Sequence, residues 1–131
     1  MLFSTQKETL VLLQNHLEGK IPESIYNLQS LAQINLGYNY LSGTLSTNIA
    51  QLFSSSNEFK KFKVANNSLT GRIPDNIFIN SNNSTVLKLE EFDVSKNKLY
   101  GTFPENIGDL PRISKLKVLI FVSINACVVS P

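Results

Sequence analysis

The sequence predicts a stacked repeat of the α/β class, one parallel strand to each coil, and three observations predict it. The phrase N-x-L-x-G occurs four times, beginning at Asn15, Asn39, Asn67 and Asn97. Apolar residues precede each Asn at fixed offsets, and the last two alternate as a half-buried strand does. The copies stand 24, 28 and 30 residues apart. A unit of that size cannot bury its own apolar face, so copies stack. Such an architecture disfavours a pocket enzyme and points to binding along a shared surface.

The elements follow in order. Coil one, about residues 1–27, keeps only Leu10 and Leu12 ahead of Asn15 and is truncated at its start. Coil two, about 28–55, sets Leu28, Leu31, Ile34 and Leu36 before Asn39. Coil three, about 56–85, sets Phe59, Phe62 and Val64 before Asn67, with Ser56 in the first apolar place. Coil four, about 86–109, uses Val86, Leu89, Phe92 and Val94 before Asn97. Coil five, about 110–131, begins with Leu110, Ile113, Leu116 and Val118, then places Phe121 where the Asn belongs.

Each part of the phrase has a physical task. A fully buried strand leucine contributes roughly 1.5–3 kcal/mol. The Asn amide both donates and accepts, so stacked Asn15, Asn39, Asn67 and Asn97 form a ladder that satisfies the backbone of their own and neighbouring coils. Gly opens backbone angles closed to other residues, and Pro fixes φ where no ladder donor is needed. Three phrases run on into Ile21-Pro22, Ile73-Pro74 and Phe103-Pro104, while Ser46 stands in the proline place of coil two. The surplus residues fall at Ser54–Asn57 and around Asn80 to Thr85, both polar and loop-like.

This pattern resembles the plant-type leucine-rich repeat, L-x-x-L-x-x-L-x-L-x-x-N-x-L-x-G-x-I-P, over about residues 10 to 118. The resemblance implies a right-handed leucine-rich-repeat solenoid of about five coils. A parallel sheet lies on its concave side, with turns and short 3₁₀ segments on its convex side. It implies recognition of a protein or peptide ligand, with a co-receptor as a further partner. It places such a domain at the plasma membrane, on the extracellular side, as in ectodomains of plant receptor-like kinases and receptor-like proteins. A cell-wall polygalacturonase inhibitor uses the same repeat and is the alternative. Secreted members carry cysteine-paired caps, whereas this chain has one cysteine, Cys127, and no partner for it. The expectation is therefore a fragment of a longer ectodomain or a truncated, non-functional gene product, with a small repeat protein that has lost its caps as the alternative. Its coil-five edge should be unpaired and prone to fraying or self-association.

Composition narrows the classes further. At 131 residues the chain supports one domain. A net charge of +2 is too small and dispersed for a nucleic-acid footprint. No secretory signal opens the chain, and the apolar tail from Val118 to Val129 is too short to span a bilayer, which needs about 20 residues. The single histidine, His16, rules out a zinc cluster of the usual type, and it lies four coils from Cys127. No catalytic residue, metal site or cofactor is expected. Sequons at Asn66, Asn82 and Asn83 offer glycan acceptors to a secreted parent.

The outward strand positions carry the remaining chemistry. They read Gln33 and Asn35, Lys61 and Lys63, Glu91 and Asp93, then Lys115 and Lys117, so a basic, an acidic and a basic coil lie side by side. Three readings stand open: a self-neutralising surface ladder, a recognition stripe joined by Tyr38, and a Glu91–Asp93 glycosidase dyad. The flanking lysines oppose the last, because they would keep both carboxyls ionised.

Overall fold

A computed structural model of the chain describes residues 8–28, 30–55, 59–78, 88–104, 115–120 and 127–129; residues 54–55, 115–120 and 127–129 are described as backbone. In chain order the strands are β1 (Glu8–Val11), β2 (Glu18–Lys20), β3 (Leu31–Asn35), β4 (Tyr40–Ser42), β5 (Lys61–Lys63), β6 (Thr70–Gly71), β7 (Glu91–Asp93), β8 (Lys98–Leu99), β9 (Lys115–Ile120) and β10 (Cys127–Val129). A 3₁₀ helix covers Glu23–Asn27 and one α-helix, α1, covers Ile49–Ser55.

The apolar-x-apolar runs form the main sheet, in the order β1-β3-β5-β7-β9-β10. Its first five strands are parallel. Ile34 pairs with Phe62, Phe62 with Phe92, and Phe92 with Leu116. Each of these residues stands at the same offset from its coil's Asn position, so the coils stack without a slip despite their unequal lengths.

Inward side chains make one continuous core. Ile34, Phe62 and Phe92 are fully buried, with Leu36, Val64 and Val94 beside them. Aromatic rings bridge the coils. Phe53 lies 5.5 Å from Phe59, 5.8 Å from Phe62 and 6.2 Å from Phe78 and Phe92, while Phe78 meets Phe92 edge-on at 5.3 Å. Each such pair adds roughly 0.5–1.5 kcal/mol beyond burial alone. Phenylalanine thus does in coils three and four what leucine does elsewhere.

The expectation of turns and 3₁₀ segments opposite the main sheet is incomplete. The N-x-L-x-G phrases themselves form short parallel strands: β2 pairs with β4, β6 with β8, and Thr44 bridges to Thr70 between the two pairs. Ser54 and Ser55, expected in a loop, close helix α1, whose Ile49, Leu52 and Phe53 are buried. Leu28, expected in the core, is 45% exposed because it ends the 3₁₀ helix, and Ile25 and Tyr26 enter the core ahead of it. Leu12 is 40% exposed as well. The Asn80–Thr85 insertion, Ser56, Val86, Leu110, Ile113 and Phe121 lie outside the described residues.

The far edge differs most from expectation. β10 pairs antiparallel with β9, matching Cys127 to Ile120 and Val129 to Val118. The edge of coil five is therefore covered by the chain's own tail, and Cys127 lies in a strand.

On the side opposite the main sheet, Glu23 braces two coils by accepting from Ser46 Oγ and Asn48 Nδ2, each at 2.9 Å. Beside it Tyr26 Oη is buried without a hydrogen-bond partner among the described residues. Burial first, then the Glu23 carboxylate, push the phenol up to about 12, and the Ser46 backbone only partly offsets them.

Candidate functional site

Two sets of side chains meet at the exits of the main strands, and the structure separates their tasks. The first set is the Asn ladder. Asn39 Oδ1 accepts from Leu17 N–H at 3.0 Å, and its Nδ2 donates to the carbonyls of Leu12, Leu36 and Gly37 at 2.9–3.1 Å. Asn67 repeats this with Leu41 N–H and the Leu36, Val64 and Ala65 carbonyls. Asn97 repeats it again with Leu69 N–H and the Val64, Val94 and Ser95 carbonyls. Every rung thus ties its own strand exit to the coil before. Asn15 is exposed and, among the described residues, bonds only to Leu12 and Leu13 of its own coil.

The residue before each Asn is left-handed, at Gln14, Tyr38, Asn66 and Lys96, with φ of 54–59°. A left-handed L-residue costs about 1–2 kcal/mol. At three of these positions the backbone N–H reaches the next coil in return. Gln14 donates to Gly37 O, Tyr38 to Ala65 O and Asn66 to Ser95 O, at 2.9–3.1 Å. Sequence reasoning missed this position because Gln, Tyr and Lys carry no turn signal; only Asn66 is a residue type that favours it.

The second set is the outward row. Gln33, Lys61 and Glu91 lie in register, as do Asn35, Lys63 and Asp93, and Lys115 and Lys117 continue both rows along β9. Their environments differ from the uniform exposure expected of them. Asn35, Glu91 and Asp93 are buried, and Gln33, Lys61 and Lys63 are half-buried. Asn35 Oδ1 accepts from Gly37 N–H at 3.1 Å. Asp93 Oδ1 accepts from Ser95 N–H at 3.1 Å and from Ser95 Oγ at 2.6 Å. Both side chains therefore close the turn that follows their strand. Lys63 Nζ lies 3.7 Å from Glu91 Oε2, a diagonal pair, and Lys60 Nζ lies 3.9 Å from Glu90 Oε2 at the strand entry. Lys61 has no carboxylate partner among the described residues. Tyr38 is the exposed aromatic of this face, at 51%. Asn66 is half-buried, and Asn82 and Asn83 lie outside the described residues.

Comparison with known proteins agrees with this geometry. The leucine rich repeat family matches residues 88–110. The ectodomain of the Arabidopsis receptor kinase HAESA, solved with an N-terminally extended IDA peptide hormone, is 34% identical over 86% of this chain and 17% of its own, with TM-score 0.71. These are leucine-rich repeats of the plant receptor type. The plant peptide hormone receptor RGFR1, solved with RGF2, is 31% identical over 82% of this leucine-rich-repeat chain and 16% of its own, with TM-score 0.67. The BIR2 ectodomain from Arabidopsis thaliana is 27% identical over 86% and 55% respectively, with TM-score 0.71. The chain thus spans about a sixth of the two hormone receptors and about half of BIR2. No curated protein matches it. Among the described residues no helix is long and apolar enough to cross a membrane.

Proposed function

We propose that the chain is one domain of five right-handed coils whose concave sheet face recognises a peptide or protein ligand. The register of β3, β5 and β7 carries this reading, because it aligns residues from different coils into rows across which an extended ligand can lie. HAESA and RGFR1, both solved with peptide hormones, support a peptide as the ligand. Within the rows the free chemistry belongs to Gln33, Tyr38 and Lys61; Asn35 and Asp93 are engaged in turns, and Lys63 and Glu91 in an ion pair. A Glu91–Asp93 hydrolytic dyad has little support, since Asp93 already holds Ser95 on its Oδ1. On the same reading Asn66 accepts a glycan on the extracellular side of a plasma membrane.

The test selects a random library of short displayed peptides on the immobilised chain. Enriched peptides should bind Tyr38→Ala and Lys61→Glu about tenfold more weakly, the loss of roughly one good contact each. The charge reversal should act chiefly on association rate and fade with salt. Failure to enrich, or enriched peptides indifferent to both changes, would overturn the assignment.

A further inference from the structure

A second face of the molecule is as regular as the open sheet, and ligand recognition by the main strands leaves it unused. The N-x-L-x-G phrases lie side by side through β2, β4, β6 and β8, with Leu41, Leu69 and Leu99 buried and the residues between leucine and glycine exposed. The glycines shape this face. Gly43 and Gly101 are left-handed, with φ of 83° and 99°. A Cβ at 43 would meet Lys20 Cγ at 2.9 Å, and one at 101 would meet Arg72 Cγ at 3.0 Å. Two long cationic side chains therefore lie flat across the coil that follows each. Arg72 ends over the Tyr100 ring, 5.8 Å from its centroid, so its guanidinium is held in place before any ligand arrives.

The charge of the face is one-sided. Its outward positions hold three cations, Lys20, Arg72 and Lys98, against the single carboxylate of Glu18. No ion pair joins these cations to a carboxylate among the described residues. Tyr40 and Tyr100 are 59% and 48% exposed. The other outward positions are His16, stacked on Tyr40 at 6.0 Å, and serines and threonines. None is aliphatic. The face thus offers flat rings, hydroxyls and cations that no carboxylate pairs among the described residues.

We infer that this face binds an acidic polysaccharide, a chain of uronic-acid sugars laid across the coils. A pyranose presents an apolar CH face to an exposed ring, hydroxyls to the serines and threonines, and one carboxylate to a cation. Arg72, planar and pre-placed, takes that carboxylate through two parallel hydrogen bonds. The coils repeat every 4.8 Å or so, as paired strands do, close to the length one sugar adds to an extended glycan. Carboxylates along the chain can then meet the cations of coils one, three and four, while coil two offers the Tyr40 ring.

Titration calorimetry of the full chain with a galacturonic acid decamer tests this. The controls are the same decamer fully methyl-esterified, which keeps the rings and loses the charge, and polyglutamate, which keeps the charge and loses the rings. The uronate should bind at least about tenfold tighter than either control. Arg72→Gln and Tyr40→Ala should each weaken it about fivefold or more, with the thermal midpoint unchanged. If Arg72→Gln lowers the midpoint, Lys20→Gln serves in its place and should show the same loss. Absence of uronate binding at millimolar concentration overturns the proposal, as does equal binding of either control, or wild-type affinity in the variants. None of these substitutions touches the open-sheet residues, so this result stands or falls separately from peptide binding.

Discussion

At the scale of single residues, the Asn ladder and Tyr26 make opposite predictions from the same rule. A buried polar group stabilises when every bond is made and costs about 1–3 kcal/mol when one is left open. Asn97 is buried and accepts one backbone bond while donating to three carbonyls. Asn97→Ala should therefore destabilise by about 2–3 kcal/mol, whereas Asn15→Ala, exposed and tied only to its own coil, should cost well under half of that. Equal midpoints for both variants in urea melts would refute the ladder as a stabilising device. Tyr26 already has its hydroxyl unpaired, so Tyr26→Phe should be neutral or stabilise by up to about 1 kcal/mol. The phenol also makes a pH argument. The folded chain holds it neutral to about pH 12 and the unfolded chain releases it near 10. Stability from this group is thus whole below pH 10 and lost as pH climbs from 10 to 12, on the order of 2–3 kcal/mol. Alkaline melts of the wild type should show that decline, and Tyr26→Phe should lack it.

At the scale of elements, the glycine of each phrase separates backbone strain from crowding. Gly19 and Gly71 are both left-handed, with φ of 81° and 84°. A Cβ at 19 meets nothing within 4 Å, while one at 71 lies 2.9 Å from Thr44 Cγ2. Gly19→Ala should cost about 1 kcal/mol for the backbone alone, and Gly71→Ala clearly more, with part of the excess recovered by Thr44→Ala. A double-mutant cycle measures that recovery. The same elements explain what could be read in advance. Ile34, Phe62 and Phe92 were legible as stacked core residues because strand alternation and a fixed Asn offset leave one register. The strands through N-x-L-x-G were not, since runs of two or three residues carry no β pattern; stacking alone brings them together. Asn35 and Asp93 were read as outward groups for a similar reason. Alternation tells which face a side chain leaves from, and says nothing of the turn it then folds back to close.

At the scale of the whole molecule, a stack of coils is only as soluble as its ends. Each parallel strand leaves one edge of N–H and C=O groups for the next, and an unpaired edge recruits another chain. One cysteine and the lost Asn at Phe121 suggested that coil five would present such an edge. Instead β10 turns back on β9 and pairs from Cys127 through Val129. Reversal of direction matters here, because an antiparallel final strand ends the parallel register that the coils propagate. The outer edge is then the short strand β10, which runs against the direction of the coils. Removing residues 121–131 should therefore leave the ladder and the phenylalanine core intact and expose the length of β9. Circular dichroism of the shortened chain should keep its strand signal, while light scattering should reveal dimers or larger species at concentrations where the full chain is monomeric. Hydrogen exchange should find the Val118–Ile120 amides protected in the full chain and unprotected in the dilute shortened one. A shortened chain that stays monomeric, with those amides still protected, would mean that β10 contributes nothing to closing the stack.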